Sequence, residues 1–110
     1  MENCIFCKIM KGDIPSKKAY EDEEMIIIHD IEPKAKLHYI CIPKTHFARL
    51  KEMDDEKAAL VARCLQKVSS LEEKLGLQDG YRVIINQGEN GGQTVHHLHI
   101  HLLGGEPLDF

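Results

Sequence analysis

The residues with the most chemistry in this chain are three histidines at alternate positions near its C-terminal end: His97, His99 and His101, separated by Leu98, Ile100 and Leu102. In a β-strand, same-side neighbours stand roughly 6.5 to 7 Å apart, so three imidazoles would line one face while the apolar residues anchor the other. A helix would put His97 and His101 together and turn His99 away, and Val95 and Ile100 suit a strand better. Imidazole is suited to attack on phosphorus: its neutral form exists near pH 7, with one nitrogen free as nucleophile while the other donates a hydrogen bond that fixes the tautomer. An anionic phosphate is better met by neutral imidazole and backbone N–H groups than by a carboxylate. Gly88, Gly91 and Gly92, just ahead of Gln93-Thr94, are expected to let backbone amides approach such an anion. The competing reading, a polar strand face whose histidines reach only water or backbone, sits poorly with three in strict alternation.

Cysteine is the second reactive set. Cys41 lies in the apolar run Tyr39-Ile40-Cys41-Ile42 and Cys64 on the apolar stripe of a helix, so both read as core residues. Cys4 and Cys7 form a Cys-x-x-Cys, which in a reducing compartment is a metal half-site or a redox pair.

These residues need elements to hold them. Cys4 to Lys11 repeats Ile5, Ile9 and Phe6, Met10 at helical spacing before Gly12-Asp13-Ile14-Pro15 stops it. Lys17 to Tyr20 and Met25 to Asp30 flank a polar tetrad as a hairpin, and Leu37 to Ile42 makes a third strand ended by Pro43. From Asp55 to Leu75 the residues Leu60, Val61, Cys64, Leu65, Val68, Leu71 and Leu75 form one stripe, with Asp54 as N-cap and Gly76 as stop. Tyr81 to Asn86 reads as a strand, Gly88 to Gly92 as a loop, and Val95 to Leu103 as the last strand. The expected class is α+β: an antiparallel sheet of about five strands, one long helix and a short N-terminal helix, in a single domain spanning 1–110.

Composition narrows the partners. The formal charge is -4, from 14 Lys+Arg against 18 Asp+Glu, so no whole-molecule field holds a nucleic-acid polymer. The longest apolar runs, 25–28 and 39–42, fall far short of the roughly 20 residues of a membrane span. The first residues have neither the basic start nor the apolar stretch of a secretory signal, which places the protein in the cytoplasm with reduced thiols.

His97-Leu98-His99-Ile100-His101-Leu102-Leu103 resembles the His-φ-His-φ-His-φ-φ motif of the histidine-triad superfamily, and Gly91-Gly92-Gln93-Thr94-Val95 resembles its nucleotide-binding branch. The likeness extends to His29-Asp30-Ile31, Ile42-Pro43-Lys44-Thr45-His46, Gly80-Tyr81-Arg82 and Asn86-Gln87-Gly88, in the expected order over nearly the whole chain. The resemblance implies a histidine-triad fold and a covalent nucleotidyl intermediate on His99 that water hydrolyses to a nucleoside monophosphate. It implies that His101 binds phosphate oxygens and that the Thr94 hydroxyl contacts the leaving group. Gln93 and the Gly92 amide would lie near the phosphate with Asn86 close by, Asp30 would hold the ribose hydroxyls, and Ile31 would belong to the nucleotide site. A carboxylate can accept from two hydroxyls; the plainer role for Asp30 is a strand-end cap.

Some bacterial relatives in this superfamily carry a structural zinc, and their ligands resemble Cys4, Cys7, His46 and His97 here. Two thiolates and two imidazoles make a closed tetrahedral site. The resemblance also implies a homodimer, for which Tyr81 to Ile85 and the striped helix offer apolar surface. Two positions depart from close relatives: Glu106 stands where a basic residue is common, and Phe110 ends the sequence without their longer aromatic tail. His96 is expected on the apolar face, without a role. The implied activity is hydrolysis of purine nucleoside 5'-phosphoramidates or related nucleotidyl compounds, with an AMP- or GMP-class nucleotide as ligand. Rival readings are a dinucleoside polyphosphate hydrolase, a nucleotide-binding regulator with incidental turnover, and a metal or redox module. The last leaves Asp30, Asn86 and the glycine loop idle.

Overall fold

A computed structural model describes residues 3–110. It is the expected α+β arrangement: five antiparallel strands in the order β1-β2-β3-β5-β4 with helices on both faces. Helix α1 spans Ile5–Lys11, β1 Lys18–Glu21, β2 Met25–His29 and β3 Leu37–Pro43. After a 3-10 turn at Leu50–Glu52 come α2 (Asp55–Ser70), α3 (Glu72–Leu75), β4 (Tyr81–Ile84) and β5 (Ile100–Gly104). Among the described residues no helix is long and apolar enough to cross a membrane.

Strict alternation along the central strands sorts two cores. Met25, Ile27, Tyr39, Cys41, Ile100 and Leu102 face α2 and α3, meeting Leu60, Cys64, Val68 and Leu75. Ile26, Ile28, Ile40 and Ile42 face the other way, against Phe6 and Ile9 of α1. Cys41 and Cys64 are fully buried, as core residues should be. Each large apolar side chain so enclosed contributes about 1.5–3 kcal/mol.

The caps follow the sequence, but the long helix is interrupted. Asp54 accepts the N–H of Lys57 to start α2, and Gly76, in the left-handed region at φ 76°, ends α3. Between them the Ser70 hydroxyl donates to the Lys67 carbonyl at 2.7 Å, and the Leu71 N–H is shared by the Lys67 and Val68 carbonyls. A serine hydroxyl competing for a helix carbonyl loosens the turn there, so the single stripe 55–75 folds as two helices.

The last strand is also shorter than expected: it begins at Ile100, not Val95. The partner explains this. Cys41 pairs with Ile100, so continuing the ladder toward Leu98 would engage Pro43, which has no N–H to give. The Pro43 carbonyl instead accepts Nε2–H of His97, and the Leu98 N–H turns to the Phe47 carbonyl at 2.7 Å. Likewise β4 ends at Ile84 and does not reach Asn86.

Candidate active site and metal centre

The histidines keep their alternation although two precede the ladder. Leu98, Ile100 and Leu102 are wholly buried toward α2. The three imidazoles lie on the α1 side: the Phe6 ring meets His97 at 6.0 Å and His99 at 5.1 Å between centroids, edge to face, and His99 lies 5.0 Å from His101. His96 falls outside this pattern. The chain bends at 95–97, so His96 is exposed, not turned to the core, and lines a separate cleft with Asn3, His46 and Thr94.

Backbone partners fix the proton positions ring by ring. Nδ1–H of His99 donates to the His97 carbonyl at 2.7 Å, which leaves Nε2 bare. Nε2–H of His97 donates to Pro43 O at 2.7 Å, which leaves Nδ1 bare. A fourth histidine completes the set. His38, on β3, accepts the Lys34 N–H at Nδ1 (3.0 Å), so its neutral ring carries the proton on Nε2, 2.9 Å from Nδ1 of His101 and 3.4 Å from a carboxylate oxygen of Asp30. His101 therefore accepts at Nδ1 and holds its proton on Nε2. Burial lowers the pKa of all four rings; His97 and His101, where neighbouring imidazoles add to it, fall to about 4. The rings are neutral at pH 7.

A cavity of ≈ 620 Å³ opens over this face. His99, His101, Asp30, Ile31, Asn86, Gly92 and Thr94 line it, with His38 and Phe6 in its wall. Ile31 is 93% exposed at the mouth. Gln93, expected beside a phosphate, does not line it: its side chain is buried, donating to the carbonyls of Ala48 (2.7 Å) and Val95 (3.3 Å) and accepting the Gly88 N–H at 2.9 Å.

The glycine loop corrects the expectation of free amide donors. The Gly91 N–H goes to Gly88 O, Gly92 N–H to Glu89 O and Gln93 N–H to Gly88 O. The glycines serve the turn itself: Gly88 and Gly92 have φ of 71° and 80°, and a Cβ on Gly91 would collide with the Gln87 carbonyl. Among the described residues, Thr94 supplies the first N–H after the loop with no protein acceptor.

Below His99 a second group converges. Nδ1 of His97 lies 3.4 Å from Sγ of Cys4, 3.7 Å from Sγ of Cys7 and 3.1 Å from Nδ1 of His46, which is 3.4 Å from Sγ of Cys7. Bond lengths around tetrahedral zinc require about 3.3 Å between two nitrogens and about 3.6 Å between nitrogen and sulfur. The donor set fits zinc, and the Pro43 carbonyl already holds His97 in the ligating tautomer. Asp30, His38 and His101 also bring ligand atoms within 4.8 Å of one another. That trio is a hydrogen-bond relay instead, because the His38 nitrogen facing it carries a proton.

Sequence reasoning missed His38 altogether; it read Phe6 only as part of a helical repeat and noted Glu106 only as a departure from relatives, without its contact. His38 had a signal: it shares the parity of Ile40 and Ile42 and so faces the triad. Glu106 accepts the Lys36 N–H at 2.7 Å, a contact 70 positions apart that no local pattern announces.

Residues 3–107 match the family model described as the C-terminal binding region of the scavenger mRNA decapping enzyme. Over 104 residues the chain is 46% identical to Protein HitA of Neisseria gonorrhoeae, covering 94% of this chain and 97% of that protein. A histidine-triad family hydrolase from Clostridium thermocellum superposes with a TM-score of 0.93 at 45% identity, covering 99% and 96% of the two chains. A zinc-bound histidine-triad family protein from Mycobacterium smegmatis superposes at 0.82 with 37% identity, covering 99% and 81%.

Proposed function

The chain belongs to the histidine-triad family, and from that premise we propose that it is a cytoplasmic hydrolase of purine nucleoside 5'-phosphoramidates or related nucleotidyl compounds. The observation that carries the reading is the bare Nε2 of His99, held by a 2.7 Å bond from Nδ1–H to the His97 carbonyl, at the floor of a cavity that also presents Asp30, Asn86 and Thr94.

In the first step His99 Nε2 attacks the α-phosphorus. A P–N bond to the ring forms, and the bond to the leaving group breaks, its electron pair departing with the leaving group, which takes up a proton from solvent. The imidazolium that develops is stabilised through Nδ1–H by the His97 carbonyl. Nε2–H of His101 meets a phosphate oxygen, Thr94 meets the leaving group, and Asp30 holds the ribose hydroxyls beside Ile31. Asn86 and the Gly92 backbone pack close to the phosphate, while Gln93 braces the loop rather than touching ligand. Water then displaces His99 from phosphorus and yields the nucleoside monophosphate. His38 is a positioning residue, since it acts through His101.

Cys4, Cys7, His46 and His97 would hold a structural zinc, whose contribution is folding energy and a fixed His97. A homodimer is part of the proposal: the edge strand β4 and helix α2 expose Val83 (46%) and Leu65 (39%).

The test is mass spectrometry of the protein mixed with a slowly hydrolysed adenosine phosphoramidate. A nucleotidyl adduct is expected on His99, and His99→Ala should lose many orders of magnitude in turnover while still binding AMP. A folded His99→Ala protein with wild-type turnover refutes the mechanism.

A further inference from the structure

Two charged side chains at the cavity mouth have no part in the chemistry above. Glu32 and Lys34 line the cavity on the segment that follows Asp30 and Ile31. Both are exposed, and among the described residues neither head group has a protein partner. Their backbone, by contrast, is pinned. The Glu32 N–H donates to the Asp30 carboxylate at 2.7 Å, the Lys34 N–H to His38 at 3.0 Å and the Lys36 N–H to the Glu106 carboxylate at 2.7 Å. Each alternate amide of the segment thus has a side-chain acceptor, so the loop projects Glu32 and Lys34 from a fixed rim. Ile31, between Asp30 and Glu32 in the chain, lines the same cavity and is 93% exposed, an apolar surface on which the flat face of a base can lie.

The geometry points to a base-reading function for Glu32 and Lys34, selecting guanine over adenine; the inference rests on the nucleotide-site reading proposed above. The pairing edge of guanine offers two adjacent donors, N1–H and the 2-amino group, beside the O6 acceptor. A carboxylate can accept from both donors while an ammonium donates to O6, which makes three hydrogen bonds with a charged partner. Adenine presents the reverse order on that edge, an amino donor at position 6 and an acceptor at N1, so a carboxylate placed for N1–H and an ammonium placed for O6 both face the wrong partner. Hypoxanthine keeps N1–H and O6 but lacks the amino group, so it makes two of the three bonds and falls between.

Calorimetric titration of the intact protein with GMP, IMP and AMP tests this. GMP should bind more tightly than AMP by about tenfold or more, the magnitude of a single hydrogen bond to a charged group at an exposed rim, with IMP intermediate. Glu32→Gln should bring GMP and IMP together, and Lys34→Met should narrow the gap between IMP and AMP. Melting temperatures check that both variants are folded. Equal binding of GMP and AMP by the wild type overturns the base assignment alone, as does a GMP-to-AMP ratio that survives in both variants. If none of the three mononucleotides binds, the nucleotide-site reading itself falls and the assignment with it.

Discussion

Replacing His38 separates two roles that one ring performs. Its Nδ1 accepts the Lys34 N–H and anchors the rim loop, while its Nε2–H donates to His101 at 2.9 Å and sets that ring's tautomer. Asparagine can place an oxygen near the Nδ1 position and glutamine an amide N–H near the Nε2 position. His38→Asn therefore keeps the anchor and removes the donor, and His38→Gln does the reverse. Losing the donor leaves the part-buried Nδ1 of His101 unpaired, which costs about 1–3 kcal/mol. The expected loss in kcat for His38→Asn is then about 5- to 150-fold, at about tenfold per 1.4 kcal/mol. Ribose and base contacts come from other residues, so KM should change little, and His38→Gln should recover a large part of kcat. Steady-state kinetics with an adenosine phosphoramidate, alongside melting curves for each variant, gives both numbers. If His38→Asn retains wild-type kcat, or if His38→Gln is the poorer enzyme of the two, the relay is wrong and His38 only shapes the loop.

Elemental analysis of protein purified without chelators should find about one zinc per chain, following the four-ligand stoichiometry; the Cys4→Ser, Cys7→Ser double variant should lose the metal and melt at a lower temperature. Metal-free protein whose melting temperature zinc does not raise would exclude the site. Asp22 closes the β1–β2 turn by accepting the N–H groups of Glu24 and Met25 and the Tyr20 hydroxyl. Burial pulls its pKa upward, but the three donors outweigh that and hold it below the ordinary carboxylate value. A depressed folded pKa contributes stability that is complete above the unfolded value of about 4 and is lost as pH falls through the folded one. Asp22→Ala should thus melt below the wild type at pH 7, with the gap closing as pH drops below about 4; a gap independent of pH would show that the carboxylate's charge is not what stabilises the turn.

The elements with a strong internal period were the legible ones. The cap at Asp54, the stop at Gly76 and the alternation of the central strands follow from local spacing, and those features fixed the fold. Where the structure differs, something outside the hydrophobic pattern decides. The last strand starts late because the distant Pro43 lies opposite it, and the long helix divides at a local bond, from the Ser70 hydroxyl to the Lys67 carbonyl. The glycine loop carried the right residues for a misleading reason: a turn that consumes its own amides looks, in sequence, like one that offers them. His38 and Glu106 contribute through contacts 63 and 70 positions apart; strand parity gives the face His38 points to but not its partner, and nothing local announces the partner of Glu106.

The strand order β1-β2-β3-β5-β4 bears on how the molecule is made. The last of the five strands to be synthesised is inserted between two made earlier, so until it emerges β3 and β4 each present an open row of backbone donors and acceptors. Such edges invite pairing with other chains. The same segment delivers His97 to cysteines that left the ribosome 93 and 90 residues before it. Closure of the sheet, completion of the cysteine–histidine cluster and alignment of the reactive rings are therefore one late event in biogenesis. A nascent chain has none of them by halves, and a truncated product should be cleared as unfolded polypeptide rather than persist as a weak enzyme.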